Sequence, residues 1–127
     1  MVTRDPNHVA YLKGDNLWKK GCFKEAAQCF LVALAEWPED YQAYWALGNC
    51  YSELGKPRKA EQSFRQAIAL CPNADKITLL FNLANTLFDQ KRYVSAIKLY
   101  SEIPTAHPLS IKAKRNVFLA GSRDAEA

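Results

Sequence analysis

Small and apolar residues return along this chain at a fixed interval. Gly14, Ala26, Phe30, Ala33 and Pro38 recur 34 residues later as Gly48, Ala60, Phe64, Ala67 and Pro72. A looser third copy reads Ala84, Ala96, Tyr100, Ile103 and Pro108 at an interval two residues longer, and the extra length is assigned to the neighbourhood of Asp75 and Lys76. A period this long means stacked helix pairs, each burying its apolar face against the next. The pattern predicts helices near 7–20, 23–36, 41–54, 57–70, 76–90 and 93–103, with a shorter one near 109–120.

Turn residues punctuate this pattern. Gly21 and Gly55 supply the left-handed residue that ends a first helix, and Pro57 stands in the opening turn of the next, where its missing amide hydrogen costs nothing. In the third copy Lys91 replaces the glycine, so that turn is expected to be strained or differently shaped. Pro104 is expected to stop the sixth helix early. The two ends of the array also differ. Lys13 and Asn16 occupy the places held by Leu47 and Leu83 and by Cys50 and Thr86 in the later copies, which is the polar outer face of a terminal repeat. At the other end Ile111, Phe118 and Leu119 form an apolar stripe opposite Lys112, Lys114 and Arg115, as expected of a capping helix packed on the sixth. Two alternatives remain for that helix: the first half of a fourth repeat, since Ile111 lies one period after Ile77, or a surface for self-association.

These residues at this spacing resemble the tetratricopeptide repeat (TPR). The middle copy fits best, with Trp45, Leu47, Gly48, Tyr51, Ala60, Phe64, Ala67 and Pro72. The resemblance covers residues 7–110 as repeats 7–40, 41–74 and 77–110, followed by the capping helix, and makes 1–127 one domain. It implies an all-α, right-handed superhelical solenoid of about seven helices. The fold is specified by it and the function is not.

In such arrays the first helix of each pair lines a concave groove, at positions spaced i, i+4 and i+7. Here those positions hold Tyr11, Asp15 and Trp18, then Trp45, Asn49 and Ser52, then Phe81, Asn85 and Phe88. Aromatic side chains on rigid helices offer contact area at low entropic cost, and Asn49 and Asn85 can both donate to and accept from a peptide backbone. The competing explanation is packing, with Trp18 and Phe88 turned to neighbouring helices. One TPR subclass grips the C-terminal carboxylate of heat-shock chaperones with Lys and Asn side chains and an Arg. In the natural register those positions hold Tyr11, Asp15, Ala46, Thr78 and Asn82, and Asp15 repels a carboxylate. Moved on by one repeat, Asn49, Asn82 and Lys112 coincide with the pattern, while Trp45 and Asn116 replace the other Lys and the Arg. Bacterial secretion chaperones resemble the array in size, but they tend to be acidic and this chain is not.

The formal net charge is +4, and the cations come in blocks: Lys19, Lys20 and Lys24; Lys56, Arg58 and Lys59; Lys91 and Arg92. All fall at the turn inside a repeat and are expected to form a basic ridge, with Glu36, Glu39, Asp40 and Asp75 towards the other edge. A ridge of this kind suits RNA phosphates, the alternative reading of the function. Complementing the helix dipoles explains the same segregation, at roughly 0.3–1 kcal/mol per charge, so nucleic acid is not the expected partner.

Composition narrows the classes further. A 49% hydrophobic content supplies a core, no apolar run is long enough for a bilayer span, and the Met-Val-Thr-Arg-Asp-Pro start has no apolar signal core. A cytoplasmic location is the default. Cys22, Cys29, Cys50 and Cys71 form no Cys-x-x-Cys pair and are expected to be reduced and mostly buried, with Cys22 the most reactive. No phosphate loop, nucleophile elbow or metal-ligand spacing is present, and His8 and His107 are expected to be solvated. Asp15 and Asp89, the one imaginable carboxylate pair, are two repeats apart. The expectation is a non-catalytic module without cofactor or metal, binding a peptide or partner protein as adaptor, chaperone or assembly factor.

Overall fold

The computed structural model describes residues 4–6 and 8–126. The expected start of the first helix and first repeat at Asn7 lies outside them, as does the Met-Val-Thr opening. Among the described residues the chain is helical throughout: α1 (Val9–Lys19), α2 (Phe23–Glu36), α3 (Tyr41–Glu53), α4 (Pro57–Leu70), α5 (Asn73–Asp89), α6 (Tyr93–Ser101) and α7 (Ser110–Glu126). No described helix is long and apolar enough to cross a membrane. The chain divides into two compact units, Met1–Cys71 and Pro72–Ala127.

The first unit holds two helix pairs. Ala26, Ala27, Phe30, Leu34, Ala43, Leu47 and Cys50 form its buried cluster. Close approach of the paired helices explains the repeated glycine. A Cβ on Gly14 would lie 2.8 Å from the Phe30 ring, and one on Gly48 would lie 2.6 Å from the Phe64 ring. Both rings are almost wholly buried, which contributes about 1.5–3 kcal/mol each relative to leaving them exposed. Asp40 starts α3: its carboxylate accepts the Gln42 amide at 3.1 Å, capping the helix. Lys13 and Asn16 are exposed, whereas Leu47 and Cys50, their counterparts on α3, are buried.

The second unit holds the third pair and α7, around Ala84, Leu87, Ala96, Tyr100, Ile103 and Ala113. Ala84 replaces the glycine here and is fully buried. The extra length expected as a connection near Asp75 and Lys76 is instead helix: α5 begins at Asn73, directly after an extended Pro72. Asp75 then stands in the first turn, where its charge favours the helix dipole. The sixth helix stops at Ser101, three residues before Pro104 and earlier than the expected 103.

The three turns inside the pairs share one geometry. Gly21 has φ 78°, Gly55 70° and Lys91 62°. Each turn closes with the same amide-to-carbonyl bond, from Cys22 to Leu17, Lys56 to Tyr51 and Arg92 to Leu87, all at 2.9 Å. The possibility that Lys91 reshapes its turn is therefore overturned. The lysine adopts the left-handed conformation, and strain is what remains.

The last helix differs most from expectation. It runs to Glu126 rather than 120, taking in Gly121 and residues expected to be a tail. It packs on α6, with Ala113 and Val117 in the shared cluster and Ala120 buried, instead of through the expected stripe, while Ile111 and Phe118 are 80% and 75% exposed. The expected stripe of Ile111, Phe118 and Leu119 lies on the outer side of the helix. The buried side consists of small residues, because these let two helices approach closely.

Candidate peptide-binding site

In the first unit the expected groove residues stand on α1 and α3. Tyr11 is half-buried, packs edge-on against Phe30 with ring centres 5.4 Å apart, and has the Arg4 guanidinium over its other face at 3.5 Å. Arg4 is held there by Asp40 (Nε to Oδ2, 2.5 Å) and Gln42 (2.9 Å). No motif in the sequence announces Arg4, whose guanidinium covers one face of the Tyr11 ring. Burial raises the Tyr11 hydroxyl pKa, against the lowering effect of Arg4. Asp15 pairs with Lys19 one turn on, at 3.1 Å. Trp18 lies against Phe23 at 4.8 Å and is part of the core packing.

Trp45 and Asn49 stand apart from these. Both are partly exposed one turn apart on α3, and Ser52 beyond them is exposed. Trp45 does not join the residues packed on the buried cluster, whose α3 contributions are Ala43, Tyr44, Ala46, Leu47, Cys50 and Tyr51.

The second unit uses its corresponding residues internally. Phe81 packs on Tyr100 at 5.8 Å, and Phe88 on Tyr93 at 5.3 Å, with the Arg123 guanidinium 5.2 Å from the Phe88 ring. The Tyr100 hydroxyl donates to Asn85 Oδ1. Asn116 Nδ2 donates to the same oxygen at 3.2 Å and to the Tyr100 oxygen at 3.4 Å. This polar trio ties α5, α6 and α7 together, and it occupies the acceptor that Asn85 was expected to offer a peptide. Burial pushes the Tyr100 pKa up to about 12, helped by Asp89 and opposed by the Asn116 hydrogen bond. The sequence carried a sign of it, since Tyr100 adds a hydroxyl where Phe30 and Phe64 have none. Asn82 is half-buried, its backbone carbonyl accepting from Thr86 Oγ1 at 2.9 Å, and Lys112 is exposed.

The basic residues are exposed: Lys19, Lys20, Lys24, Lys56, Arg58 and Lys59 in the first unit, Lys91 and Arg92 in the second. Some are engaged within the chain. Besides Lys19, Lys59 lies 5.6 Å from the Tyr51 ring, beside a groove of about 440 Å³ lined by Leu31, Tyr44, Leu47 and Gln62.

Three expectations about reactive groups need correction. His8 is not solvated, because Nε2 meets Glu36 at 2.9 Å and the ring packs edge-on against Trp37. His107 Nδ1 accepts the Leu109 amide at 3.1 Å, ordering the turn before α7. Of the cysteines, Cys50 is buried, and Cys22, Cys29 and Cys71 are partly exposed. Burial raises the Cys50 pKa to about 11, which keeps it an unreactive thiol. Among the described residues no His, Cys, Asp and Glu side chains group as metal ligands.

Comparison with known proteins agrees with this architecture. Among curated proteins, response regulator aspartate phosphatase A of Bacillus subtilis is 32% identical over 63 residues, 47% of this chain. The match spans only 17% of that relative's length. Among solved structures, the TPR2B domain of yeast Sti1 in complex with pHsp70 superposes with a TM-score of 0.80 at 18% identity, covering 90% of this chain and 94% of that one. The Yersinia enterocolitica type III secretion chaperone SycD, in complex with a peptide of the translocator YopD, gives 0.77 at 17% identity, covering 91% and 92%. At these identities the structures establish the fold alone. The profile of the tetratricopeptide repeat family matches residues 11–75, just over half of the sequence, and the chain belongs to that family.

Proposed function

We propose that this chain is a non-catalytic interaction module that binds a peptide segment of a partner protein, with Trp45 and Asn49 on α3 as its anchors, and that it serves as an adaptor, chaperone or assembly factor. One observation carries the reading. All five aromatic residues at these positions are partly exposed, but Tyr11, Trp18, Phe81 and Phe88 pack against the buried clusters, whereas Trp45, beside Asn49, stands outside the residues that do. A rigid aromatic next to a side-chain amide is the pairing that anchors a peptide, the ring excluding water while the amide meets the backbone. Relatives of the same fold occur in complexes with pHsp70 and with a YopD peptide, which makes peptide binding the leading expectation here.

The favoured ligand is an internal segment rather than a C-terminal carboxylate. Asp15 stands on the α1 face, and Asn116, one of the positions a carboxylate would need in the displaced register, is spent on Asn85 and Tyr100. The test is affinity capture from native lysate with wild type and with the Trp45→Ala/Asn49→Ala double variant, followed by titration of an acidic C-terminal octapeptide. The expected outcome is loss of the captured set in the folded double variant, and an octapeptide affinity unchanged by Lys112→Ala. A captured set unchanged by the double substitution refutes the site.

A further inference from the structure

α7 is built like the first helix of a pair. Shifted by 34 residues, its buried Ala113 and Ala120 and half-buried Val117 fall on Leu79, Thr86 and Leu83 of α5, all buried. Its other face carries Ile111 and Phe118 in the places of Ile77 and Ala84, which pack in the cluster that α5 shares with α6, and Lys114 in the place of Leu80. On α7 this face is open: Ile111 and Phe118 are 80% and 75% exposed. A cavity of about 320 Å³ lies on the α6 side of the helix, lined by Tyr100, Ile103, Ser110, Ala113 and Val117, and Lys114 reaches it from the edge of the outer face. Isolated exposed apolar residues are ordinary; two aligned along one helix face, flanked by cations, form a docking face.

The chemistry of the face selects its occupant. No acidic residue lies between Ser110 and Ser122, and Lys112, Arg115 and Arg123 follow one another at helical spacing along one edge, with Lys114 on the other. A second helix of this chain's own type is a poor fit. Phe118 stands where Gly14, Gly48 and Ala84 stand, and the aromatic that such a helix brings would meet it head-on, as a Cβ on Gly48 would meet Phe64 at 2.6 Å. A second copy of α7 is equally poor, since antiparallel pairing sets the Lys112 and Arg115 edge against the Arg123 edge of its mate, cation on cation.

We propose that the outer face of α7 docks an acidic amphipathic helix of a partner protein, with a small residue over Phe118 and carboxylates flanking its apolar stripe to meet Lys114 and Arg115. None of these residues belongs to the Trp45 and Asn49 site, so the substitutions that test one proposal leave the other untouched.

The test uses the full chain and a fluorescein-labelled synthetic helix with an Ala and Leu stripe and Glu flanks, next to a counterpart with Lys flanks, followed by anisotropy. The Glu-flanked helix is expected to bind wild type, and to bind the Ile111→Ser/Phe118→Ser variant at least about tenfold more weakly, as for loss of a hot spot. The Lys114→Glu/Arg115→Glu variant is expected to exchange the preference in favour of the Lys-flanked helix. All these positions are exposed, and circular dichroism verifies that the variants keep the fold. Absence of saturable binding, equal binding of both helices, or indifference to the substitutions overturns the proposal. So does a dimer in sedimentation equilibrium that Phe118→Ser abolishes, which assigns the face to a second copy.

Discussion

Both units pack an aromatic from a second helix against a small residue of a first helix, and they do it by different means. In the first unit the pairs are Gly14 with Phe30 and Gly48 with Phe64, so tight that a methyl group on either glycine would overlap the ring. In the second unit Ala84 takes the glycine's place and Tyr100 the phenylalanine's. The tyrosine hydroxyl reaches Asn85 and, through it, Asn116 of α7. One solution relies on steric fit alone and the other adds a hydrogen-bonded clasp. What the repeat preserves is close approach at this position, and glycine is one of two ways to obtain it.

The sharpest way to break the comparison is to enlarge the small residue. Gly48→Val is expected to destabilise by about 3 kcal/mol, at the upper end of overpacking costs, because the Phe64 ring is enclosed and cannot move aside. Ala84→Gly removes a side chain from a site that accepts it and is expected to cost about 1 kcal/mol in helix propensity. Urea denaturation of the two variants measures both. A loss in Gly48→Val no larger than that in Ala84→Gly would mean that the Phe64 ring yields to the added side chain and that the glycine site is not the tighter one.

Tyr100→Phe comes next and removes the clasp while keeping the ring. A loss of about 1–2 kcal/mol is expected, since Asn85 and Asn116 keep each other but lose the hydroxyl. Protection from hydrogen exchange is expected to fall in α6 and α7 and to be unchanged in α1 to α4.

The same residue sets a dependence on pH. Tyr100 is raised from 10.0 to about 12, so the unfolded chain ionises first. The stabilisation is fully present below pH 10 and is lost as pH rises towards 12. Cys50 behaves likewise from 9.0 to about 11. Urea midpoints measured across pH 9 to 12 are expected to fall in wild type, less steeply in Tyr100→Phe and in Cys50→Ala. A midpoint that rises over this window contradicts both assignments.

How legible each part was follows from what sets it. The helix pairs, their glycine turns and the exposed Lys13 and Asn16 are local or periodic properties, and they can be read from one residue and its copies. The start of α5 was missed because a shift between copies says that residues were added without saying whether they are loop or helix. The face of α7 was missed because the large residues Ile111 and Phe118 draw the apolar stripe, while the true contact is made by Ala113 and Ala120, whose smallness is the reason for the contact. The candidate site was half legible. Spacing placed Trp45 and Asn49 on one face, but that Arg4 covers Tyr11 and Asn116 engages Asn85 depends on residues 7 and 31 positions away, with no repeat to announce them.

The smallest effect concerns the turns, where the units again solve one problem with different residues. Lys91 at φ 62° holds the conformation of Gly21 and Gly55 and makes the same closing bond. A non-glycine residue there costs roughly 1–2 kcal/mol in the folded chain. Glycine gives back about half of that gain by being freer when unfolded. Lys91→Gly is therefore expected to stabilise by about 0.5–1 kcal/mol, visible as a higher urea midpoint and slower exchange of the Arg92 amide. Gly55→Lys is expected to lose a similar amount, because open space around Gly55 leaves backbone strain as the only penalty. If Lys91→Gly leaves stability unchanged while Gly55→Lys lowers it, the lysine side chain contributes an interaction that offsets its strain. The units would then differ in what surrounds the turn as well as in what makes it.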